Sequence, residues 1–212
     1  EDEHGITDAI KLASNENPYP PVPAVVEAIA AAAGDVNRYG DHRAADLRAA
    51  IAGWLDVDVD RVAAGCGSVG LLQQLLLAYV DPGDEVVYPW PSFEAYPIDV
   101  QLTGGVEVTV PLVDHTFDLE AVAAAVTDRT KLVLLANPNN PTGTCLPAEE
   151  LWRLRRGLDD GVILVIEIKP VHVFVQKRVV ACVIICREIQ LKIIVHRFKP
   201  VPLSRGLLID QI

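Results

Sequence analysis

The sequence is poor in basic side chains, and this shortage excludes one class of partner. It contains 18 Lys and Arg residues against 29 Asp and Glu residues, which gives a net charge of -11. A protein that binds nucleic acid by neutralising phosphates needs the opposite balance. We therefore expect no nucleic-acid partner.

Cysteine and long apolar runs are also scarce. Four cysteines in 212 residues do not make a disulfide scaffold, and the pair Cys182 and Cys186 lacks the second pair of ligands of a zinc site, so no metal is expected. The longest uncharged apolar stretch, residues 179–186, is far shorter than the ~20 residues that cross a bilayer. The first ten residues are acidic where a signal peptide is basic. These features predict a cytoplasmic protein without a membrane segment.

The sequence has enough hydrophobic residues to form a buried core, and its two ends differ in composition. Half of the residues are hydrophobic. Residues 1–161 hold 26 acidic and 10 basic side chains, whereas residues 162–212 hold 3 and 8, which together restore the totals of 29 and 18. The shift predicts an acidic main part and an atypical tail rich in Val, Ile, Lys and Arg.

Helical and strand patterns alternate through the main part. Apolar residues at helical spacing predict helices in PPVPAVVEAIAAAAG (ending at Gly34), RAADLRAAIAGWL, CGSVGLLQQLLLAYV, the residues after Ser92, DLEAVAAAV (capped by Asp118) and PAEELWRLRRGL (starting at Pro147). Short apolar or alternating runs predict strands in RVAAG, EVVY, VEVTVPL, KLVLLA and VILVI. Apolar strands that alternate with helices predict an α/β fold, a mainly parallel sheet with helices on both faces.

The glycine-rich segment GCGSVG, residues 65–70, lies between a predicted strand and a predicted helix. Such a turn presents backbone N–H groups and the positive end of a helix to a phosphate. The pattern also fits a dinucleotide-binding motif, although that motif usually opens its domain. A purely structural glycine turn is the third interpretation.

The segment ANPNNPTGT, residues 136–144, follows the predicted strand KLVLLA. Asparagine and proline in this density form a rigid polar loop that cannot extend a sheet. Open α/β sheets bind ligands at the carboxyl ends of their strands. The loop is therefore a candidate binding site, with a plain turn as the alternative.

Five motifs in order carry a family resemblance. They are SNENPY (14–19), NRYGD (37–41), GCGSVGLLQQL (65–75), YPWPSFEAYPI (88–98) and ANPNNPTGT (136–144). Together they resemble the histidinol-phosphate aminotransferases, which are fold-type I pyridoxal-phosphate enzymes, and the aromatic aminotransferases share the pattern. The likeness covers about residues 8–166, which implies an N-terminal arm and part of a large domain in residues 1–166 and leaves residues 167–212 as the tail. It implies pyridoxal 5'-phosphate as cofactor, an amino donor and a 2-oxo acid as substrates, and a homodimer.

The resemblance also implies roles for single residues in cofactor binding. Ser68 and Val69 would donate to the cofactor phosphate. Phe93 would stack on the pyridine ring, and Asn140 would hydrogen-bond its phenolic oxygen. Glu167 stands where the family has an aspartate that faces the ring nitrogen.

Three further residues are implied to act around this centre. Tyr39 would reach the phosphate in the neighbouring subunit. Asn17 and Tyr19 lie in the segment that closes over the substrate.

The expected Ser-Lys motif, whose lysine binds the cofactor covalently, is absent from the sequence. Lys199 is the nearest candidate by position and Lys169 a remoter one. We therefore expect little or no transaminase activity from this chain. Histidinol phosphate is the first candidate donor, and an aromatic amino acid is the alternative. Two other classes stay open: a catalytically dead phosphate-binding remnant and a nicotinamide-dependent oxidoreductase.

Overall fold

The computed structural model describes residues 19–168 and 182–185. These residues fall into two units that divide between Gly40 and Asp41. In the first unit, helix α1 (Pro23–Ala32) starts with proline, whose fixed φ suits the first helical turn, and has no buried residue. The backbone then continues into a short 3-10 helix, Ala33–Asp35. The prediction that Gly34 caps α1 is therefore wrong, because Gly34 lies inside this turn and Ala33 is the C-cap.

The second unit contains the sheet and the helices that cover it. The helices are α2 (Ala45–Leu55), α3 (Gly67–Tyr79), α4 (Ala95–Thr103), α5 (Leu119–Ala124) and α6 (Ala148–Gly157). The strands are β1 (Glu85–Trp90), β2 (Val106–Pro111), β3 (Thr130–Ala136), β4 (Ile163–Ile168) and β5 (Cys182–Ile185). None of the helices in the described ranges is both long and apolar enough to pass through a membrane.

The strand order is β2-β1-β3-β4-β5. Strands β2, β1, β3 and β4 are parallel, whereas β5 pairs antiparallel with β4. The predicted mainly parallel α/β sheet is therefore confirmed. Since parallel neighbours need a crossover, each of the connections between these four strands contains a helix.

Side chains of the strands alternate between two dry cores, one on each face. On β3, Leu132, Leu134 and Ala136 pack against α3 and α4. Val133 and Leu135, from the same strand, pack against α5 and α6. All five are completely buried, and each large aliphatic side chain buried in this way contributes about 1.5–3 kcal/mol. Two covered faces explain why β3 reads as a continuous apolar run.

Most predicted elements are present, and one is not. Asp118 caps α5 as predicted, since its Oδ1 accepts hydrogen bonds from the amides of Glu120 at 3.1 Å and Ala121 at 3.0 Å. The prediction of a strand in RVAAG, residues 61–65, is wrong. A 3-10 helix occupies Val59–Arg61, and no described strand pairs with the residues that follow. A strand requires a neighbour for its backbone groups, which local sequence does not supply.

Candidate functional site

The strand order implies a crevice at the carboxyl edge of the sheet, between β1 and β3. The chain leaves β1 towards α4 on one face, and it leaves β3 towards α6 on the other face. Neighbouring connections that depart to opposite faces open a crevice at this topological switch point, where open α/β sheets bind ligands. Two of the sequence motifs, YPWPSFEAYPI and ANPNNPTGT, pass through this edge.

A buried hydrogen bond bridges the crevice. Ser92, after β1, donates from Oγ to Oδ1 of Asn139, after β3, at 2.8 Å. The amide Nδ2 of Asn139 donates to the carbonyl of Pro91 at 3.2 Å and to Oγ1 of Thr142 at 2.9 Å. Both Ser92 and Asn139 are buried. Because polar groups buried in this way are costly to leave unpaired, the bridge fixes the spacing of the two loops.

The loop that follows β3 is held in shape from within. Asn137 donates from Nδ2 to the carbonyl of Leu146 at 3.0 Å and accepts the Leu146 amide on Oδ1 at 2.8 Å. Asn140, the predicted ligand of the phenolic oxygen, is half-buried in this loop, and its Nδ2 lies 3.4 Å from Oε2 of Glu94. Asn140 therefore lies directly beside the buried Asn139, in the loop that follows β3 at the carboxyl edge of the sheet.

Phe93 lies on the other side of the bridge, next to Ser92. Its ring is half-buried and meets the ring of Tyr96 edge to face, with centroids 5.7 Å apart. Tyr96, in the first turn of α4, also meets Tyr88 edge to face at 5.6 Å. The structure thus brings Phe93 and Asn140, two predicted cofactor ligands, to the two loops that the Ser92–Asn139 hydrogen bond joins.

Glu167 lies near the end of β4, and its side chain is only 6% exposed. The hydroxyl of Tyr96 donates to its Oε2 at 3.2 Å. Oε1 is buried and has no hydrogen-bond partner among the described residues. Burial raises the pKa of Tyr96 well above 10.0, and the nearby charge of Glu167 and the hydrogen bond to it act in the same direction. Tyr96 is therefore a neutral donor, and Glu167 has one oxygen left to accept a hydrogen bond.

Ser68 and Val69 lie in the first turn of α3, and the helix places them at the same edge. α3 packs on the sheet through Leu72 and Leu76 and ends five residues before β1 begins, so its last turn lies near the amino edge. Its 13 residues span about 20 Å, the length of a six-residue strand. The first turn consequently reaches the level of the carboxyl edge.

The amide donors of Ser68 and Val69, in that first turn, are open to a ligand. Cys66 stands at the N-cap and makes no side-chain hydrogen bond to the turn. Gly67 has a φ of +73°, which a residue with a side chain adopts only with strain, and this allows the chain to turn sharply into the helix. The Gly67 amide donates to the carbonyl of Gly65 at 2.9 Å, so the N–H groups of Ser68 and Val69 are the donors that the positive end of α3 offers to a phosphate.

The remaining predicted site residues belong to the first unit or lie outside the described residues. Tyr39 is fully exposed, and Tyr19 is 67% exposed, both in the first unit. Asn17, Lys169 and Lys199 lie outside the described residues. The dinucleotide interpretation of GCGSVG loses its structural context, because no strand in the described ranges leads into α3.

Comparison with known proteins decides the family. The pattern of the family "Aminotransferase class I and II" matches residues 7–167, which is most of the 212-residue chain. The chain belongs to the class I and II aminotransferases. The family match ends at Glu167.

Similar sequences among curated aminotransferases are named for aromatic amino acids. The aromatic amino acid aminotransferase of Thermobifida fusca is 54% identical over 157 residues, covering 74% of this chain and 44% of that protein. The aromatic amino acid aminotransferase of Corynebacterium glutamicum is 45% identical over 160 residues, covering 75% of this chain and 47% of that protein. The chain therefore spans less than half the length of these relatives.

Solved aminotransferase structures share the fold. The histidinol-phosphate aminotransferase of Sinorhizobium meliloti, solved in complex with pyridoxal-5'-phosphate, is 38% identical with a TM-score of 0.69, covering 72% of this chain and 42% of that one. A mutant of the aspartate aminotransferase of Thermus thermophilus is 31% identical with a TM-score of 0.70, covering 79% and 47%. These likenesses confirm the predicted fold type for this aminotransferase.

Sequence reasoning did not single out three residues of the crevice. Tyr96, Ser92 and Asn139 are all buried, and each hydrogen-bonds across elements. A polar residue adjacent to a predicted ligand was the available signal, since Ser92 precedes Phe93 and Asn139 precedes Asn140. For Tyr96, the signal was a tyrosine one helical turn after Phe93 on the buried face of α4.

Proposed function

We propose that the protein is a pyridoxal-phosphate-dependent aminotransferase whose amino donors are aromatic amino acids. The observation that carries the donor is the 54% identity to the aromatic amino acid aminotransferase of Thermobifida fusca. The likeness to a histidinol-phosphate aminotransferase is a structural one at 38% identity. The relatives thus favour the aromatic alternative over histidinol phosphate, the first candidate from the sequence motifs.

The crevice fits the cofactor on two counts. The buried Oε1 of Glu167 lacks a partner among the described residues, and a protonated ring nitrogen would provide one. The unsatisfied amides of Ser68 and Val69 at the positive end of α3 suit a phosphate dianion. When bound, the cofactor supplies an electron sink for the carbon that loses its proton.

The chain's own residues bind and orient in this proposal. Phe93 covers one face of the ring and keeps water away from it. Asn140 donates from Nδ2 to the phenolic oxygen, and Glu167 keeps the proton on the ring nitrogen. The proton transfers at the substrate carbon require the lysine, for which Lys199 stays the candidate and Lys169 the second.

We further propose a homodimer, in which Tyr39 reaches the partner's cofactor phosphate. Its complete exposure leaves the hydroxyl accessible to a second chain. Replacing Tyr39 by Phe should then weaken cofactor binding without lowering the Tm. A sedimentation profile that shows a monomer with undiminished cofactor affinity would contradict this part.

The division of the chain into residues 1–166 and a separate tail also stays a prediction.

Two measurements test the function. Equilibrium binding of pyridoxal 5'-phosphate, followed by absorbance, asks whether the site takes the cofactor. Rates with phenylalanine, tyrosine and histidinol phosphate, each with 2-oxoglutarate as acceptor, then give donor preference as a ratio, which is meaningful even at low turnover. We expect kcat/KM for the aromatic donors to exceed that for histidinol phosphate by about tenfold or more, the size of effect that one pocket contact provides.

The opposite ratio would overturn the aromatic proposal and restore histidinol phosphate. Reversible cofactor binding with no turnover for any donor would favour the catalytically dead remnant. Absence of cofactor binding would refute the cofactor assignment.

A further inference from the structure

One oxygen of the Glu167 carboxylate accepts a hydrogen bond from Tyr96, and the other has no hydrogen-bond partner among the described residues. Oε2 accepts the Tyr96 hydroxyl at 3.2 Å, whereas the buried Oε1 meets no donor among the described residues. Buried carboxylate oxygens are nearly always hydrogen-bonded. An exception at the carboxyl edge of a binding crevice indicates an oxygen reserved for a ligand.

Tyr96 is itself held in one orientation. It is 1% exposed, and edge-to-face contacts with Tyr88 and Phe93 fix its ring from two sides. The backbone amide of Tyr96 also donates to the carbonyl of Phe93 at 3.0 Å. Its hydroxyl therefore presents a donor at a fixed place, independently of any ligand.

Glutamate needs such a restraint more than aspartate does. Its side chain has one more rotatable bond, so its carboxylate samples more positions unless a neighbour restricts it. The sequence places glutamate where the resemblance implies aspartate. A rigid donor on one oxygen removes this additional freedom and leaves the second oxygen in a defined position.

We infer that Tyr96 is a positioning residue, whose hydroxyl holds Oε2 of Glu167 so that Oε1 accepts the N–H of the cofactor's pyridine ring. This inference rests on the proposed function, because it takes pyridoxal 5'-phosphate as the ligand of the crevice. It assigns to Tyr96 no contact with the cofactor or the substrate. The neutral tyrosine keeps its proton throughout and serves only as a donor.

Tyr88 offers a matched control within the same aromatic cluster. It is also fully buried, and its hydroxyl also donates to a glutamate, but to Glu107 on β2. Tyr88→Phe and Tyr96→Phe therefore each remove the hydroxyl of a buried tyrosine that donates to a glutamate, although Glu107 is half-buried and Glu167 is buried. Only the second pair contains Glu167.

The experiment uses the full chain with cofactor labelled with 15N in the pyridine ring. The chemical shift of that nitrogen reports its protonation, and equilibrium dialysis gives the Kd. With Tyr96→Phe we expect the 15N signal to move towards the unprotonated position and the Kd to rise about 3- to 10-fold, as for the loss of one hydrogen bond. Tyr88→Phe should leave both at their wild-type values.

A double-mutant cycle separates positioning from a general loss of packing. In a Glu167→Gln background, Tyr96→Phe should produce no further change in Kd, since the residue through which Tyr96 acts is already altered. Equal effects of Tyr96→Phe in both backgrounds would overturn the inference. So would an unchanged 15N signal and Kd in the single variant.

A measurement on the wild-type chain covers the case in which Tyr96→Phe does not fold. With tyrosines labelled with 13C at Cζ, the signal of Tyr96 should shift when cofactor is added and that of Tyr88 should not. No shift at Tyr96 would overturn the inference. If wild type fails to bind the cofactor, or if Glu167→Gln leaves its 15N signal unchanged, the failure belongs to the proposed function instead.

Discussion

Two buried glutamates lie at opposite edges of the same sheet, and their surroundings differ completely. Glu85 opens β1 at the amino edge, where it accepts hydrogen bonds from the Thr127 and Thr130 hydroxyls and from the Arg129 guanidinium. Glu167 lies at the carboxyl edge with one donor, Tyr96, and one unpartnered oxygen among the described residues. The same side chain thus stabilises the fold at one edge, whereas at the other it costs stability and leaves an acceptor for a ligand.

The largest expected effect on stability comes from replacing Glu85, whose carboxylate oxygens are all hydrogen-bonded at the amino edge. Glu85→Gln replaces one of the two acceptor oxygens by an amide NH2 group, so either the Thr127 hydroxyl or the Arg129 guanidinium loses its acceptor and faces a donor instead. We expect this variant to lower the Tm by several degrees, more than the loss of any single hydrogen bond at the crevice, and to leave cofactor affinity unchanged.

Lys131→Ala is the control at this edge. It removes an ion pair between Lys131 and Asp84, 3.7 Å apart and partly exposed, which is worth about 0–1 kcal/mol. If the Glu85→Gln chain were as stable as the Lys131→Ala chain, the amino-edge cluster would not have the structural role assigned to it.

The same cluster predicts how stability changes with acid. The Thr127 hydroxyl bond, then the charge and hydrogen bond of Arg129, hold the pKa of Glu85 below its ordinary value of 4.5, although burial acts in the opposite direction. Because the folded-state pKa is lowered, the stabilisation is fully present above pH 4.5 and is lost as the pH falls below it. Urea midpoints measured from about pH 6 down to about pH 3 should therefore decrease less steeply for Glu85→Gln than for wild type. Parallel curves would count against this explanation.

The buried hydrogen bond between Ser92 and Asn139 stabilises part of the carboxyl edge, although Glu167 at the same edge lacks a partner for one oxygen among the described residues. Ser92→Ala leaves Oδ1 of Asn139 buried without its donor, which should cost about 1–3 kcal/mol of unfolding free energy. We also expect weaker cofactor binding, because Phe93 and Asn140 adjoin the two bonded residues. Thr116→Ala, which loses an exposed hydroxyl bond to a backbone carbonyl, should stay within about 0.5 kcal/mol of wild type by urea denaturation.

The smallest expected effect has the opposite sign. Glu167→Gln replaces a buried carboxyl group that has only one hydrogen bond among the described residues, so the cofactor-free chain should become more stable by about 1 kcal/mol. Cofactor affinity should fall in the same variant. A chain that is destabilised by this change would show that Glu167 is satisfied as Glu85 is, and the contrast between the two edges would disappear.

Local features of this molecule were predictable from sequence, and contacts between distant residues were not. The cap at Asp118 and the strand KLVLLA depend on a few neighbouring residues and were predicted correctly. The strand prediction for RVAAG was wrong, because a strand forms only where a neighbouring strand hydrogen-bonds to its backbone. The bond between Tyr96 and Glu167 joins residues 71 positions apart and depends on the packing of α4 against the sheet, which no motif specifies.

The order of strands in the sheet has a consequence for how the site comes into being during folding. β1 and β2 are neighbours in sequence and in space, but the crevice exists only after β3 has inserted on the other side of β1. Insertion of β3 brings together partners that are 47 residues apart, Ser92 and Asn139, and closing such a chain segment is slower than forming local helices. Cofactor capture in a refolding experiment should consequently lag behind the far-ultraviolet signal of the helices, and the bound cofactor becomes an optical reporter of correct strand order.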